Sequence, residues 1–296
     1  MADKKKEDLP SKVKWLSRFF SVAGNIAPVT AIDILVRLVF TPQKRVLRPP
    51  HKTLLKKAQK HTIKVNEFRN PDKKVEMKYY VWGSSHRTVL LVHGWDAMAL
   101  DFYKLIPVLV ENGYRVIAID GPAHGGSEGD TSNLLHFKEA MAQLIEKTGT
   151  PYAIIGHSMG GAASAYLLME YDIIVNRLVM LAIPIASGKF FEQVFAMLKV
   201  PQKMQKVFFK GMEDEFNVPI ESMNLAKRKE KIKADKVMLV YDEDDEVVSL
   251  PDIKHFLSIN PKIKSVNAKG TGHNTIIRNK KVIDEIVSFL GDGFSL

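Results

Sequence analysis

Gly156-His157-Ser158-Met159-Gly160 follows the apolar run Tyr152-Ala153-Ile154-Ile155 and precedes AASAYLLMEY, a good helix former. A serine between glycines at a strand-to-helix turn is held with its hydroxyl exposed, and the missing Cβ atoms two residues to either side let neighbouring elements close in. The following helix N-terminus favours negative charge developing beside that serine. A hydroxyl is a weak nucleophile at neutral pH, so Ser158 needs a base, and the base needs a carboxylate to orient it.

Both partners are available in the chain order serine, acid, histidine. KVMLVYDEDDEVV ends an apolar run in acids, and His273 lies 28 positions after Asp245, between Gly270-Thr271-Gly272 and Asn274, beyond the last expected strand, SVNAK. Asp245 is preferred over Asp242, Asp244 and Glu246 because Val247 and Val248 can return to the core while the carboxylate faces the loop. Asp242 competes with it for the role. For the oxyanion of an acyl-transfer reaction the expected donors are the backbone N–H groups of Trp95, just after the first parallel strand, and Met159, just after the serine. His93 is expected to be structural. So is the loop Asp120-Gly121-Pro122-Ala123-His124-Gly125-Gly126-Ser127, whose Asp120 and His124 have no nucleophile in a suitable turn to serve.

These residues need a scaffold that brings strand ends together. TIKVNEF and VEMKYYVW alternate as half-exposed strands, with a turn at Gly83-Ser84-Ser85, and predict an opening β-meander. Short apolar runs at 88–93, 114–120, 152–157, 176–183 and 236–242 then alternate with helical stretches, which predicts an α/β fold with a mostly parallel sheet and helices on both faces. Such sheets carry their reactive groups at the carboxyl edge.

The 296 residues include no cysteine, so disulfides, thiolate metal sites and a cysteine nucleophile are excluded. No metal or other cofactor is implied. Residues 1–60 hold fourteen Lys or Arg against four acids, whereas residues 61–296 are balanced. The basic pI therefore belongs to an N-terminal extension, and nucleic acid is not an expected partner. The start of the chain is too polar for a signal peptide, which leads to a cytoplasmic expectation. Ile32, Leu35, Val36, Val39 and Phe40 recur at helical spacing, and Asp33 and Arg37 argue against a spanning helix. The amphipathic extension can pack on the body, or attach peripherally to an anionic membrane at the inner face.

Together, HGW (93–95), DGPAHGGS (120–127), GHSMGG (156–161), YDEDDEVVS (241–249) and GTGHN (270–274) resemble the α/β-hydrolase superfamily, in that family's order over residues 61–296. The resemblance is nearest to bacterial single-domain serine hydrolases with a short helical lid. It implies an α/β-hydrolase domain over 61–296, with Ser158 as nucleophile, Asp245 as acid, His273 as base, and Trp95 and Met159 as oxyanion donors. The family often has glycine where this chain has Asp242. The superfamily commonly inserts a lid after the sixth strand, and residues 186–232 fill that position with two or three helices. Phe190, Phe191, Val194, Phe195 and Leu198 lie at helical spacing there, and either pack on the body or line an apolar acyl pocket.

The expected activity is carboxylester hydrolysis of a small acyl ester through an acyl-enzyme. A thioesterase, a lysophospholipase and an acyltransferase are alternatives on the same triad. A serine at 158, rather than an aspartate, separates the chain from the haloalkane dehalogenases and epoxide hydrolases that the resemblance brings to mind. From another class, a non-catalytic membrane-docked binding module remains an alternative.

Overall fold

The computed structural model describes residues 11–67, 72–186, 188–216, 218–228 and 230–291. Eight strands form one sheet: β1 (Gln59–Asn66), β2 (Lys74–Trp82), β3 (Thr88–Val92), β4 (Arg115–Ile119), β5 (Ala153–His157), β6 (Val175–Leu181), β7 (Ala234–Tyr241) and β8 (Lys264–Asn267). Their order is β1-β2-β4-β3-β5-β6-β7-β8. β1 and β2 pair antiparallel, β2 pairs antiparallel with β4, and the remaining neighbours are parallel. The expected meander is therefore corrected after its first hairpin, because β3 lies between β4 and β5 and does not touch β2. The reason is in the residues. Val89, Leu90, Leu91 and Val92 are all buried, so the strand must be covered on both faces, which an inner position in the sheet provides.

The helices are α1 (Ser11–Ile26), α2 (Pro28–Phe40), α3 (Pro49–Lys56), α4 (Leu105–Glu111), α5 (Leu134–Thr148), α6 (Met159–Glu170), α7 (Gly188–Leu198), α8 (Gln202–Phe216), α9 (Leu250–Ile259) and α10 (Lys280–Gly291). On one face of the sheet Val89, Leu91, Val116, Ala118, Ala153 and Ile155 join a core with Leu105 and Leu109 of α4 and Ile286 and Phe289 of α10. Leu90, Ile117 and Ile154 alternate to the opposite face and are equally buried. From Gly160 to Met169 every residue of α6 is buried, as its lack of a polar stripe requires.

The chain divides into two compact units, one drawn from Met1–Val39 and Ala186–Lys227, the other from Phe40–Ile185 and Arg228–Leu296. The sheet and all the predicted site residues belong to the second. In the first, α1 packs against α7. Gly24 of α1 also faces Met204 of α8, whose sulfur would lie 2.4 Å from a Cβ at that position. Phe191, Phe195 and Phe208 form an aromatic cluster, with Phe195 and Phe208 edge to face at 5.2 Å between ring centres. The apolar stripe read in α2 is buried at Leu35, Val39 and Phe40, whereas Trp15, Val22, Ile26 and Val29 are exposed. Among the described residues no helix is long and apolar enough to cross a membrane.

Candidate active site

Ser158 sits between the end of β5 and the first turn of α6 with φ +52° and ψ −125°, a conformation that costs an L-residue of order 1–3 kcal/mol. Packing around the turn enforces it. A Cβ at Gly160 would lie 2.2 Å from the His93 carbonyl oxygen, and one at Gly156 would lie 2.4 Å from the Gly161 Cα. Gly94 brings the end of β3 against the serine, since a Cβ there would lie 2.9 Å from the Ser158 Cβ. The Ser158 N–H donates to the Leu181 carbonyl at 2.8 Å, tying the turn to β6. Two further backbone–backbone bonds, from Gly161 and Ala162, return to the Ser158 carbonyl.

His273 lies with its Nε2 3.0 Å from the Ser158 Oγ and its Nδ1 2.8 Å from an Asp245 carboxylate oxygen. The three residues singled out from widely separated stretches therefore meet in one hydrogen-bonded line. A carboxylate can only accept, so Nδ1 carries the proton in the neutral ring and Nε2 is left free to accept from the serine hydroxyl. Burial pushes the Asp245 carboxyl upward, but hydrogen bonds from His273, Val247 and Val248 outweigh it and hold the group below its ordinary range. Of the two valines expected to return to the core, Val248 is buried and Val247 is about half exposed.

Asp242 has a different set of partners. Its carboxylate accepts from the N–H groups of Asp244, Gly270 and Gly272 and from the Thr271 hydroxyl. It thus fastens the end of β7 to the loop that presents His273. Those backbone donors outweigh its desolvation and keep it ionised below the usual carboxylate range. Glu243 bonds to Asn267 and pairs with Lys269 at 2.6 Å, outside the line of three.

The Trp95 N–H follows Gly94, the residue that packs against Ser158, and the Met159 N–H directly follows the serine at the start of α6. Among the described residues neither donates to a protein acceptor. His93, expected to be structural, donates from Nδ1 to the Gly94 carbonyl at 2.7 Å and accepts at Nε2 from the Gly121 N–H at 2.9 Å. That ring clamps the ends of β3 and β4. Asp120 is a similar clamp: Oδ1 accepts from the Ala99 N–H, and Oδ2 from the Tyr80 hydroxyl and the Gly126 N–H. The His124 ring, fully buried, stands edge-on to the Trp95 ring at 4.9 Å.

One participant was not singled out from the sequence. His157, buried beside the serine, donates from Nε2 to the backbone carbonyl of His273 at 2.8 Å. Burial, with the nearby His273 ring, lowers its pKa to about 3, so it is neutral near pH 7. Its position in GHSMGG was the available signal, but a bond to a main-chain atom 116 positions away leaves no trace in spacing.

Comparison with known proteins agrees with this architecture. Residues 87–223 match the family described as alpha/beta hydrolase fold, and the sheet described above is that of the α/β-hydrolase fold. A serine hydrolase-like protein of Danio rerio is 34% identical over 122 residues, which are 39% of this chain and 37% of that protein. A bifunctional esterase/perhydrolase of Acinetobacter calcoaceticus is 29% identical over 116 residues, 37% of this chain and 42% of its own length. The matched segments thus span about two fifths of these curated relatives. Among solved structures, an esterase of Pyrococcus furiosus superposes with a TM-score of 0.61 at 20% identity, covering 84% of this chain and 98% of that one. The likeness to that structure is one of fold. The protein has the α/β-hydrolase fold.

Proposed function

We propose that this protein is a serine hydrolase that cleaves a carboxylic ester through a covalent acyl-enzyme. The observation that carries this reading is the line from Ser158 Oγ to His273 Nε2 to Asp245, at 3.0 and 2.8 Å, behind a serine held at positive φ. In the first step Ser158 Oγ attacks the ester carbonyl carbon while its proton passes to His273 Nε2. Asp245 keeps Nδ1 protonated and stabilises the imidazolium. The negative charge on the former carbonyl oxygen is received by the N–H groups of Trp95, next to the Gly94 that packs on the serine, and of Met159, which follows it in the chain. Such a donor is typically worth about 10²–10³ in rate. As the tetrahedral intermediate collapses, the imidazolium protonates the leaving alcohol. Water, deprotonated by the same nitrogen, then releases the acid and regenerates Ser158.

The ester class draws on the esterase/perhydrolase relative, 29% identical over 116 residues. A thioesterase or an acyltransferase would use the same groups with a thiol leaving group or an alcohol acceptor. A p-nitrophenyl ester series of increasing acyl length, run beside matched thioesters and with Ser158→Ala as control, tests the proposal. Ester turnover that exceeds thioester turnover and disappears in Ser158→Ala is expected. Turnover unchanged in Ser158→Ala would overturn it.

A further inference from the structure

A concave site lies in the sheet-bearing unit, at the edge formed by β1 and β2, and the chemistry of the proposed triad does not use it. It is a cavity of about 520 Å³ with a mostly apolar wall that includes Leu55, Met98 and Leu100. Three cations line it: Arg45, Lys60 and Lys78. Sheet register explains the convergence of two of them. Lys60 is paired directly opposite Tyr80, and Lys78 lies two residues before Tyr80 on the same strand, so all three side chains emerge from one face of the β1–β2 hairpin. The Lys78 ammonium stands beside Gly126, where a Cβ would come within 3.3 Å of it and 3.5 Å of the Tyr80 hydroxyl.

Among the described residues none of the three cations forms an ion pair; Arg45 donates from Nε to the Asp96 carbonyl, an uncharged group. The one carboxylate in the wall, Asp120, has both oxygens engaged by the Ala99 and Gly126 N–H groups and the Tyr80 hydroxyl. The surroundings add to the positive field. Residues 44–60 hold seven Lys or Arg and no acid, and among the described residues Arg48 alone of these is paired with a carboxylate, that of Asp101. A low-dielectric concavity concentrates such a field on whatever occupies it.

We propose that this cavity binds a phosphate monoester carrying an apolar chain. Three cations against one buried carboxylate leave a surplus of two positive charges. A phosphate monoester carries about −1.5 to −2 at neutral pH and offers three strong acceptor oxygens. Lysine ammonium groups bind phosphate as point charges and the arginine fork can take two of its oxygens. The apolar wall accommodates the chain that a free inorganic anion lacks. The site borders the catalytic loop, since residues 94–100 present Gly94 to Ser158 on one side and Met98 and Leu100 to the cavity on the other. The proposal does not depend on the triad being catalytic.

Calorimetric titration of the full chain with octyl phosphate tests it, with octyltrimethylammonium and inorganic phosphate alongside. One-to-one binding of octyl phosphate is expected, at least tenfold tighter than inorganic phosphate, weakening with added salt, and with no binding of the ammonium. Lys60→Met and Lys78→Met keep the aliphatic stems while removing the charges, and each should weaken octyl phosphate by tenfold or more with an unchanged melting temperature. No binding of octyl phosphate at millimolar concentration, or affinity unchanged in the double Lys60→Met, Lys78→Met variant, overturns the proposal. Phosphatidic acid vesicles separate the sources of the head group. Vesicle binding lost in the double variant and competed by octyl phosphate assigns the phosphate of a bilayer lipid, whereas vesicle binding absent beside tight octyl phosphate binding assigns a dispersed ligand.

Discussion

His157 donates its Nε2 proton to the main-chain carbonyl of His273 across 2.8 Å, so the residue immediately before Ser158 holds the backbone of His273. The Ser158 turn and the His273 loop are thereby linked twice, once from Ser158 Oγ to the His273 ring and once from the His157 ring to the His273 backbone. We expect His157→Ala to lower kcat by up to about 10²-fold with little change in KM, the typical effect of misplacing a reacting group by about 1 Å. A KM rise with unchanged kcat in steady-state ester hydrolysis would contradict this positioning role.

Asp245→Asn and Asp242→Asn should separate the two acids. An amide at 245 can donate to His273 Nδ1 and so favours the wrong tautomer, for which a loss of about 10⁴ in kcat is the precedent from serine proteases. An amide at 242 leaves that bond intact but weakens the acceptor of the Asp244 N–H and of three donors in the loop before His273. Its expected effect is lost stability, on the order of 1–3 kcal/mol, with the smaller loss of kcat. Kinetics and urea midpoints on both variants give the order, and the reverse order would contradict the assignment.

Glycine substitutions should split by site. Gly160→Ala drives a methyl to within 2.2 Å of the His93 carbonyl and should cost at least about 2 kcal/mol. Gly211→Ala in α8 meets nothing within 4 Å and should stabilise by about 0.5–1 kcal/mol, because alanine is the better helix former. Urea unfolding of the two variants provides the check, and equal effects would contradict the packing described here.

Acid should destabilise the fold before most carboxylates titrate. Burial lowers the pKa of His157 and His124 to about 3 and of His136 to about 4, whereas an unfolded histidine titrates near 6.5. Between those values the unfolded chain binds more protons, so stability is full above about pH 6.5 and falls as pH drops toward 4, by up to about 1.4 kcal/mol per pH unit for each histidine. Urea midpoints at pH 7.5, 6 and 5 measure it. A flat profile over that range would show that these rings are not held neutral.

Much of this arrangement was legible in the residues because strand ends are marked by short apolar runs that stop in Gly, Asp or His. That is why Ser158, His273 and, with Asp242 in competition, Asp245 could be singled out from motifs at strand ends, and the three are found within hydrogen-bond reach of one another. The position of β3 between β4 and β5 was less legible, since adjacency in sequence suggested a continued meander, although the unbroken apolar run Val89–Val92 carried the answer. Two features were not legible. The bond from His157 to a distant carbonyl follows from tertiary approach, and so does the packing of α1 on α7, helices separated by some 160 residues. The charge of the extension also divides in a way that its average conceals: seven of its fourteen basic residues lie in 44–60, in the segment that leads into β1 and lines the cationic cavity.

The central claim is that Ser158 is the activated nucleophile, and covalent labelling tests it most directly. We would treat the wild-type protein, Ser158→Ala and His273→Ala with a fluorophosphonate and locate the adduct by peptide mass spectrometry. The account predicts one adduct, on the peptide containing Ser158, absent in Ser158→Ala and formed far more slowly in His273→Ala. An adduct that persists in Ser158→Ala, or that forms equally fast without His273, would contradict it.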